Sequence, residues 1–493
     1  MTSNKIKSGI LSDSVWLTFV KLVTALISII ITKILSEKLS LIEYGTYSQG
    51  NLIVVTVTSL SILGLSDGAN YFFNRSRDEE TQKTYIDSVF GIQLVAGVIC
   101  SIAIFGGQRL WTAYFDNDAL SPIYIWLMFS PMLSNYIAMY QVLFVSIGKA
   151  KVIAARNFIL SVMKLLIVIA AVYFFEDIVV IFALLLLTDA IQTLYFAIFW
   201  RYKKFWINPF KINAHVAKEI FAYCIPLAIY ILTNTLTRDL DKLVVSKFTS
   251  TEEFAIFTNC AKVLPFDMFS ASIATVMIPT VTRYIGGKKY EEAQQLYRNY
   301  LCLAYTTTWI IAAGAVFCAS DLMKLLYDEK YLSGLWVFVI YIFVDMIRFA
   351  NVAVILRAKG KSMTLMLCSF AALLANLILN ITFVQWFGVI GPAISTLFVT
   401  LGMNIFLLMK GADILQCKLR NLLDIKDMSI LFLQLLVCVI PLLFVTYLFR
   451  EYLPQVKAEF RFFIAYATYG IPILLMNVKK ILKLMKNINN CRG

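Results

Sequence analysis

Apolar residues run along this chain in long blocks separated by short polar breaks. A helix needs about 20 consecutive apolar residues to cross the hydrocarbon core of a bilayer. Stretches of that length fall near 14–35, 47–67, 85–105, 122–146, 157–175 and 178–200, then near 219–237, 253–281, 299–320 and 333–355. Four more lie near 363–383, 388–409, 428–448 and 459–477. The pattern predicts an all-α polytopic membrane protein of about 14 transmembrane helices. No break between runs exceeds about twenty residues. No soluble domain is therefore expected on either side, and the helices themselves must carry the function.

Composition sharpens this reading. Of 493 residues, 60% are apolar and 15% charged, where a soluble chain shows roughly 45–50% and about 25%. A soluble enzyme, a disordered protein and a secreted disulfide scaffold are excluded. The net charge of +14 would suggest nucleic acid in a soluble protein, but no basic segment forms a separate domain. Cytoplasmic loops of membrane proteins collect Lys and Arg. With the N-terminus inside, 29 Lys and Arg fall in inside segments and 9 in outside ones. That asymmetry supports an even number of spans with both termini cytoplasmic. The run Val15–Leu35 is too long for a signal h-region and lacks an A-x-A-like end, so it reads as a retained span.

The nine cysteines form no C-x-x-C and lie mostly in apolar runs, and His215 is the single histidine. Metal sites need clustered ligands, so none is expected. No G-x-x-x-x-G-K-[ST] loop is present to cradle nucleotide phosphates. The chain reads as a non-enzyme without cofactors, and coupling to a proton or Na⁺ gradient stays open.

An internal repeat is visible. Glu43-Tyr44-Gly45-Thr46-Tyr47 and Glu253-Phe254-Ala255-Ile256-Phe257 share a pattern, 210 residues apart. Lys149-Ala150-Lys151 and Lys359-Gly360-Lys361 share that offset, as do Ser36 and Ser246. The repeat maps spans 1–6 onto spans 7–12 in parallel topology. Such lobes are related by a pseudo-two-fold axis along the membrane normal. The expected domains are a six-helix lobe over 1–210, a second over 211–415, and two additional helices with a basic tail over 416–493.

These features resemble a family. Two six-helix lobes plus two helices look like the multidrug/oligosaccharidyl-lipid/polysaccharide flippase superfamily, and the chain is most similar to its polysaccharide transporter, or O-antigen flippase, branch. The resemblance sits on Pro226-Leu227, Asn234, Arg238, Asp239, Asp241, the Glu253–Phe257 segment and Ala261. Glu43–Tyr47 and Gly391-Pro392-Ala393-Ile394-Ser395-Thr396 also fit. The family often has Gly where this chain has Ala255. The resemblance implies a flippase of the bacterial cytoplasmic (inner) membrane. It would move an undecaprenyl-pyrophosphate-linked oligosaccharide, an O-antigen (lipopolysaccharide) or capsule unit, to the outer leaflet by alternating access. Implied partners are the lipid-linked oligosaccharide, membrane lipid, and a polysaccharide polymerase with its chain-length regulator. A multidrug or organic-cation antiporter of the same superfamily is the alternative.

Ionisable groups inside spans are costly and are functional candidates by default. Lys21, Lys164, Arg238, Lys262 and Arg348 are candidates for an anionic headgroup, since Lys offers a point charge and Arg a bidentate fork. Snorkelling is the plain alternative for Lys21. Asn376 and Asn380, i and i+4 on one face, are candidates for sugar contacts or interhelical hydrogen bonds. Asp189, Asp241, Asp267 and Asp345 are the candidate ion-coupling carboxylates. Asp345 and Arg348 stand at i, i+3 and can pair, whereas Asp189 has no basic residue within four positions of its own helix.

Overall fold

Lipid offers peptide groups no hydrogen-bond partner, so a chain this apolar satisfies its backbone within helices. The structure, a computed structural model, describes residues 23–490 apart from 77, 176, 263, 265, 267 and 454. Among the described residues every regular element is helical. Ten helical runs are long and apolar enough to cross a membrane, and one of them, Met363–Ile414, carries two of the expected spans. The expected fourteen are not all recovered as such runs. The start of the first, 14–22, lies outside the described residues. The fourth is a 17-residue helix, Ser130–Ser146, behind a 3₁₀ turn. The eighth is broken between Cys260 and Met268.

The chain divides into two compact units, Met1–Ala255 and Ile256–Gly493. In the first, α1 (23–38), α2 (Leu41–Ser61), α3 (Leu65–Arg75) and α4 (Glu79–Gly106) are followed by the short α5 (Gln108–Phe115) and α6 (Tyr124–Leu127). Then come α7 (Ser130–Ser146), α8 (Ala150–Ala170), α9 (Ile178–Lys203) and α10 (Ala214–Phe248). Leu63 and Gly64, both at positive φ, put a bend inside the second expected span and separate α2 from α3. The core of this unit is aromatic. Phe144 lies 5.3 Å from Phe196 and 5.6 Å, edge-on, from Trp200. Edge-on and offset pairs suit ring quadrupoles and add stability beyond area burial.

The repeat assigns α10 to the second lobe, yet α10 packs along α2–α4 of the first unit. A Cβ on Gly64 would come within 2.8 Å of the Cys224 carbonyl oxygen. Tyr85 donates to Glu219 across 2.6 Å. Gln49, fully buried, donates to Ser246 and accepts from Asn117, at 3.1 and 2.7 Å.

The short α11 (Thr251–Cys260) crosses the boundary between the units. The second unit holds α12 (Met268–Gly286), α13 (Tyr290–Phe317), α14 (Ala319–Leu326), α15 (Leu335–Ile347) and α16 (Val354–Ala358). It continues with α17 (Ser362–Phe387), α18 (Gly391–Ile414), α19 (Leu419–Leu422), α20 (Ile425–Tyr452) and α21 (Ala458–Asn490). Here α21, beyond the repeat, is tied along α13. Tyr469 and Tyr466 donate to the carbonyls of Ile310 and Ile311 at 2.7 and 2.9 Å. Their rings fill the space a side chain at Gly314 would need, 2.7 Å from its Cβ position. Near the start of α21, Arg461 pairs with Asp321 at 3.4 Å. Farther along it, Lys480 pairs with Asp427 at 2.5 Å, and Tyr305 of α13 also donates to Asp427.

The repeat is visible as helix-start chemistry. Ser40 and Glu43 form a capping box, each closing on the other's backbone N–H, at 3.2 and 2.8 Å. Ser250 and Glu253 do the same at 3.2 and 3.3 Å, in the 210-residue register. The lysine-rich loops slip from that register. The αL glycine ending the preceding helix is Gly148 in one and Gly360 in the other, two residues off.

Two tests follow from this packing. Gly314→Leu must displace the rings of Tyr466 and the buried Tyr469 and is expected to cost about 3 kcal/mol, whereas Tyr469→Phe, losing one hydrogen bond, costs about 1 kcal/mol. Thermal unfolding of the detergent-purified protein reads both, and equal shifts would contradict the close-approach account. Ser40→Ala and Ser250→Ala should each cost about 1 kcal/mol, and the double variant about their sum.

Candidate functional site

The first unit holds a polar cavity of about 440 Å³ within its apolar helices, lined from α1, α7, α8 and α9. On α8 the cavity face is Arg156, Asn157, Leu160, Ser161 and Lys164. These positions fall on one side of a helix because i, i+4 and i+8 stack. Asp189 enters from α9, with Gln192 and Phe196 three and seven residues on along the same side. Asp177 caps the start of α9 by accepting the Val179 N–H at 2.8 Å. Just past α8 the helix widens into a π turn, Ala171–Phe175, a feature frequent near functional sites.

The polar groups are held in a chain. Arg156 donates one guanidinium N–H to Asn157 at 2.8 Å and another to the side-chain oxygen of Gln192. The amide nitrogen of Gln192 donates to Asp189 at 3.4 Å. The amide orientation is forced: arginine only donates and a carboxylate only accepts, so the oxygen must face Arg156 and the nitrogen Asp189. The guanidinium lies 5.2 Å from the centroid of Phe196, an attraction worth about 1 kcal/mol or more when desolvated. Phe196 is fixed by Phe144 and Tyr140, so the aromatic core of the unit sets where Arg156 stands. Lys164 is more exposed and still close enough to act electrostatically on Asp189. Two cations face one carboxylate, so the wall carries a net positive charge and offers donors from two different helix turns. Such a wall suits an anion with several oxygens, or hydroxyl-rich groups beside it.

The structure thus brings Lys164 and Asp189 into one cavity and adds Arg156, with the buried Gln192 linking Arg156 to Asp189. Arg156 lies just ahead of the expected run 157–175, but α8 begins at Ala150 and places it inside the helix. Its signal was a polar face (Arg156, Asn157, Ser161, Lys164) on an otherwise apolar run.

The other candidates lie elsewhere. Lys21 and Asp267 fall outside the described residues. Arg238 is exposed beside Asp239, which pairs with Lys242 at 2.8 Å, and Asp241 is buried nearby on α10. Lys262 does not sit within a continuous helix as expected. It follows the end of α11, 3.1 Å from Asn259, with its ammonium over Tyr327. Asp345 and Arg348 do not pair as expected. The helix ends at Ile347, which turns Arg348 toward Thr400 at 3.5 Å. Asp345 instead accepts the Leu264 N–H at 2.9 Å, in the break between α11 and α12. Asn376 and Asn380 share a buried face of α17, and Asn376 donates to Thr396 at 3.5 Å.

Because Gln192 serves two charged groups at once, Gln192→Leu strands both. We expect it to cost about 2–3 kcal/mol. The double variant Arg156→Met/Gln192→Leu should cost less than the sum of the singles. Thermal unfolding of all three variants decides, and strict additivity would sink the relay.

The fold has known counterparts. Over 95% of this chain and 100% of theirs, the coordinates match the lipid II flippase MurJ in an inward closed conformation, with a TM-score of 0.72 and 15% identity. An inward-facing multidrug resistance MATE transporter of the MOP superfamily matches with a TM-score of 0.64 and 14% identity, covering 80% of this chain and 94% of that one. A MOP superfamily transporter from Pyrococcus furiosus, described with a binding pocket of reversed polarity, matches at 0.53 and 14%, covering 81% and 93%. No curated protein matches the chain. Residues 34–335, more than half the sequence, match the family described as polysaccharide biosynthesis protein. On that match the chain belongs to the polysaccharide biosynthesis protein family, and its helical fold is similar to those of MurJ and the MATE transporters.

Proposed function

We propose that this protein flips a polyprenyl-pyrophosphate-linked oligosaccharide, an O-antigen or capsule repeat unit, from the cytoplasmic to the outer leaflet. The observation that carries the reading is the α8–α9 cavity, where Arg156 and Lys164 face the single carboxylate of Asp189. A pyrophosphate diester presents several anionic oxygens, which a guanidinium fork and an ammonium can share. Asn157, Ser161 and Gln141 supply neutral partners for sugar hydroxyls at the same wall. A cavity for organic cations would instead be expected to present carboxylates and aromatic faces. Asp189, engaged through Gln192, is the carboxylate we assign to any coupling with a proton or Na⁺ gradient. The charge asymmetry of the loops supports a bacterial cytoplasmic membrane location with both termini inside. A polymerase and a chain-length regulator would then consume the product on the far side.

The test is a clean deletion complemented with wild type, Arg156→Ala or Lys164→Ala. Lipid-linked oligosaccharide is assayed in each leaflet and glycan at the cell surface. The deletion should trap intermediate on the cytoplasmic side. Each variant should lower surface glycan at least about tenfold at unchanged protein level, the effect of losing one charge-assisted contact of roughly 1.4 kcal/mol or more. Unchanged glycan and intermediates in the deletion, with lost drug resistance, would overturn the reading in favour of a multidrug antiporter.

A further inference from the structure

The connection from α9 to α10 is both aromatic and basic: Arg201-Tyr202-Lys203-Lys204-Phe205-Trp206-Ile207-Asn208-Pro209-Phe210-Lys211. Between Asp189 and Glu219 the chain holds five Lys and Arg and no acid. The loop is fastened to the first unit. Phe205 and Ile207 are buried, and Phe205 meets Trp200 edge-on at 5.9 Å. Asp87 of α4, itself buried, accepts the Asn208 N–H at 2.8 Å, and Ser88 accepts the Asn213 N–H at 3.1 Å. Gly91, one turn farther along α4, leaves room for the loop: a Cβ there would come within 2.5 Å of the Pro209 carbonyl oxygen.

A backbone fixed in this way also fixes what points outward. Trp206 stands between two buried neighbours and is turned away from the core. Tyr202, Trp206 and Phe210 are 82%, 52% and 84% exposed. Three large rings in one short loop are a liability in water, whereas rings at the edge of a bilayer settle at headgroup level. The loop begins where the apolar run of α9 ends, so it stands where that helix leaves the hydrocarbon.

Charge selects the lipid. Arg201, Lys203, Lys204 and Lys211 are all exposed, and among the described residues none of the four pairs with a carboxylate. Exposed cations elsewhere are matched: Arg298 lies 2.5 Å from Asp424, and Lys410 lies 3.6 Å from Asp413. The carboxylates that touch or flank the loop are engaged already. Asp87 also takes Lys83 at 2.6 Å, and Glu219 accepts from Tyr85. Cations and rings share one surface, with the Arg201 guanidinium 5.1 Å from the Trp206 ring and the Lys203 ammonium 5.8 Å from Phe199. A zwitterionic headgroup brings its own ammonium and gains little from such a surface. A headgroup with net negative charge gains from each cation it meets.

We propose that the α9–α10 loop is a docking surface for anionic phospholipid headgroups of the cytoplasmic leaflet. Arg201, Lys203, Lys204 and Lys211 meet the phosphates, and Trp206 and Phe210 enter the boundary between headgroups and chains. None of these residues belongs to the α8–α9 cavity, so failure of this surface would leave the flippase reading as it stands.

Trp206 reports on its own surroundings. Full-length protein is reconstituted in mixtures of phosphatidylglycerol and phosphatidylcholine, one of the two brominated high on its chains to quench tryptophan fluorescence. The share due to Trp206 is the difference from Trp206→Phe. Brominated phosphatidylglycerol should quench that share with at least about fivefold higher apparent affinity than brominated phosphatidylcholine. The preference should vanish in about 1 M salt and in Arg201→Gln/Lys203→Gln/Lys204→Gln/Lys211→Gln. The control Lys288→Gln/Lys289→Gln/Lys479→Gln/Lys483→Gln removes as many exposed charges elsewhere and should keep it. Equal quenching by both lipids at low salt would overturn the selectivity. So would a preference that survives loss of the four loop cations, or one that the control also abolishes. A Trp206 share that neither lipid quenches would put the ring in water and overturn the docking surface altogether.

Discussion

A polar group inside these helices has no bulk water beside it, so a partner within the chain lowers the cost of burying it. Arg156 is where that constraint bears hardest. Its charge is kept inside an apolar helix because Asn157 and Gln192 accept its N–H groups and Phe196 presents a ring face to it. Gln192 can bridge Arg156 and Asp189 because an amide both accepts and donates. Two charges of opposite sign are thereby ordered without direct contact, and the guanidinium keeps its field for the cavity. The aromatic cluster around Phe144 and Trp200, which in a plain core would only fill space, becomes the support for that geometry.

The same constraint shapes the rest of the chain. Gln49 is buried only because Asn117 and Ser246 complete it. The break between α11 and α12 frees backbone groups, and Asp345 takes up one of them, the Leu264 N–H. Along α13, tyrosine hydroxyls of α21 settle on the carbonyls of Ile310 and Ile311, with Gly314 leaving room for the rings. Gln49, Asp345 and Tyr469 thus complete the scaffold, whereas the polar groups around Arg156 face a cavity.

Much of the architecture was legible in the sequence because hydropathy and helix-start chemistry are local. Apolar runs marked the helices, and the repeated Glu43 and Glu253 segments marked two helix starts, which the structure shows as capping boxes closed by Ser40 and Ser250. What depended on packing was not legible. The break after Cys260 hides inside an apolar run, and with it the true setting of Lys262. Arg348 leaves the face of Asp345 because its helix stops one residue earlier. Asp189 looked isolated because its partners come from α8 across the cavity and through Gln192. Spacing along one helix cannot report a relay that spans two.

A protein that carries a lipid pyrophosphate must take an anion in the α8–α9 cavity. The most direct measurement is a titration of purified full-length protein with inorganic pyrophosphate, set against tetraphenylphosphonium as an organic cation. Pyrophosphate should bind, more weakly as salt rises, and binding should vanish when Arg156 and Lys164 are both replaced by glutamine. Saturable binding of tetraphenylphosphonium with none of pyrophosphate would contradict it.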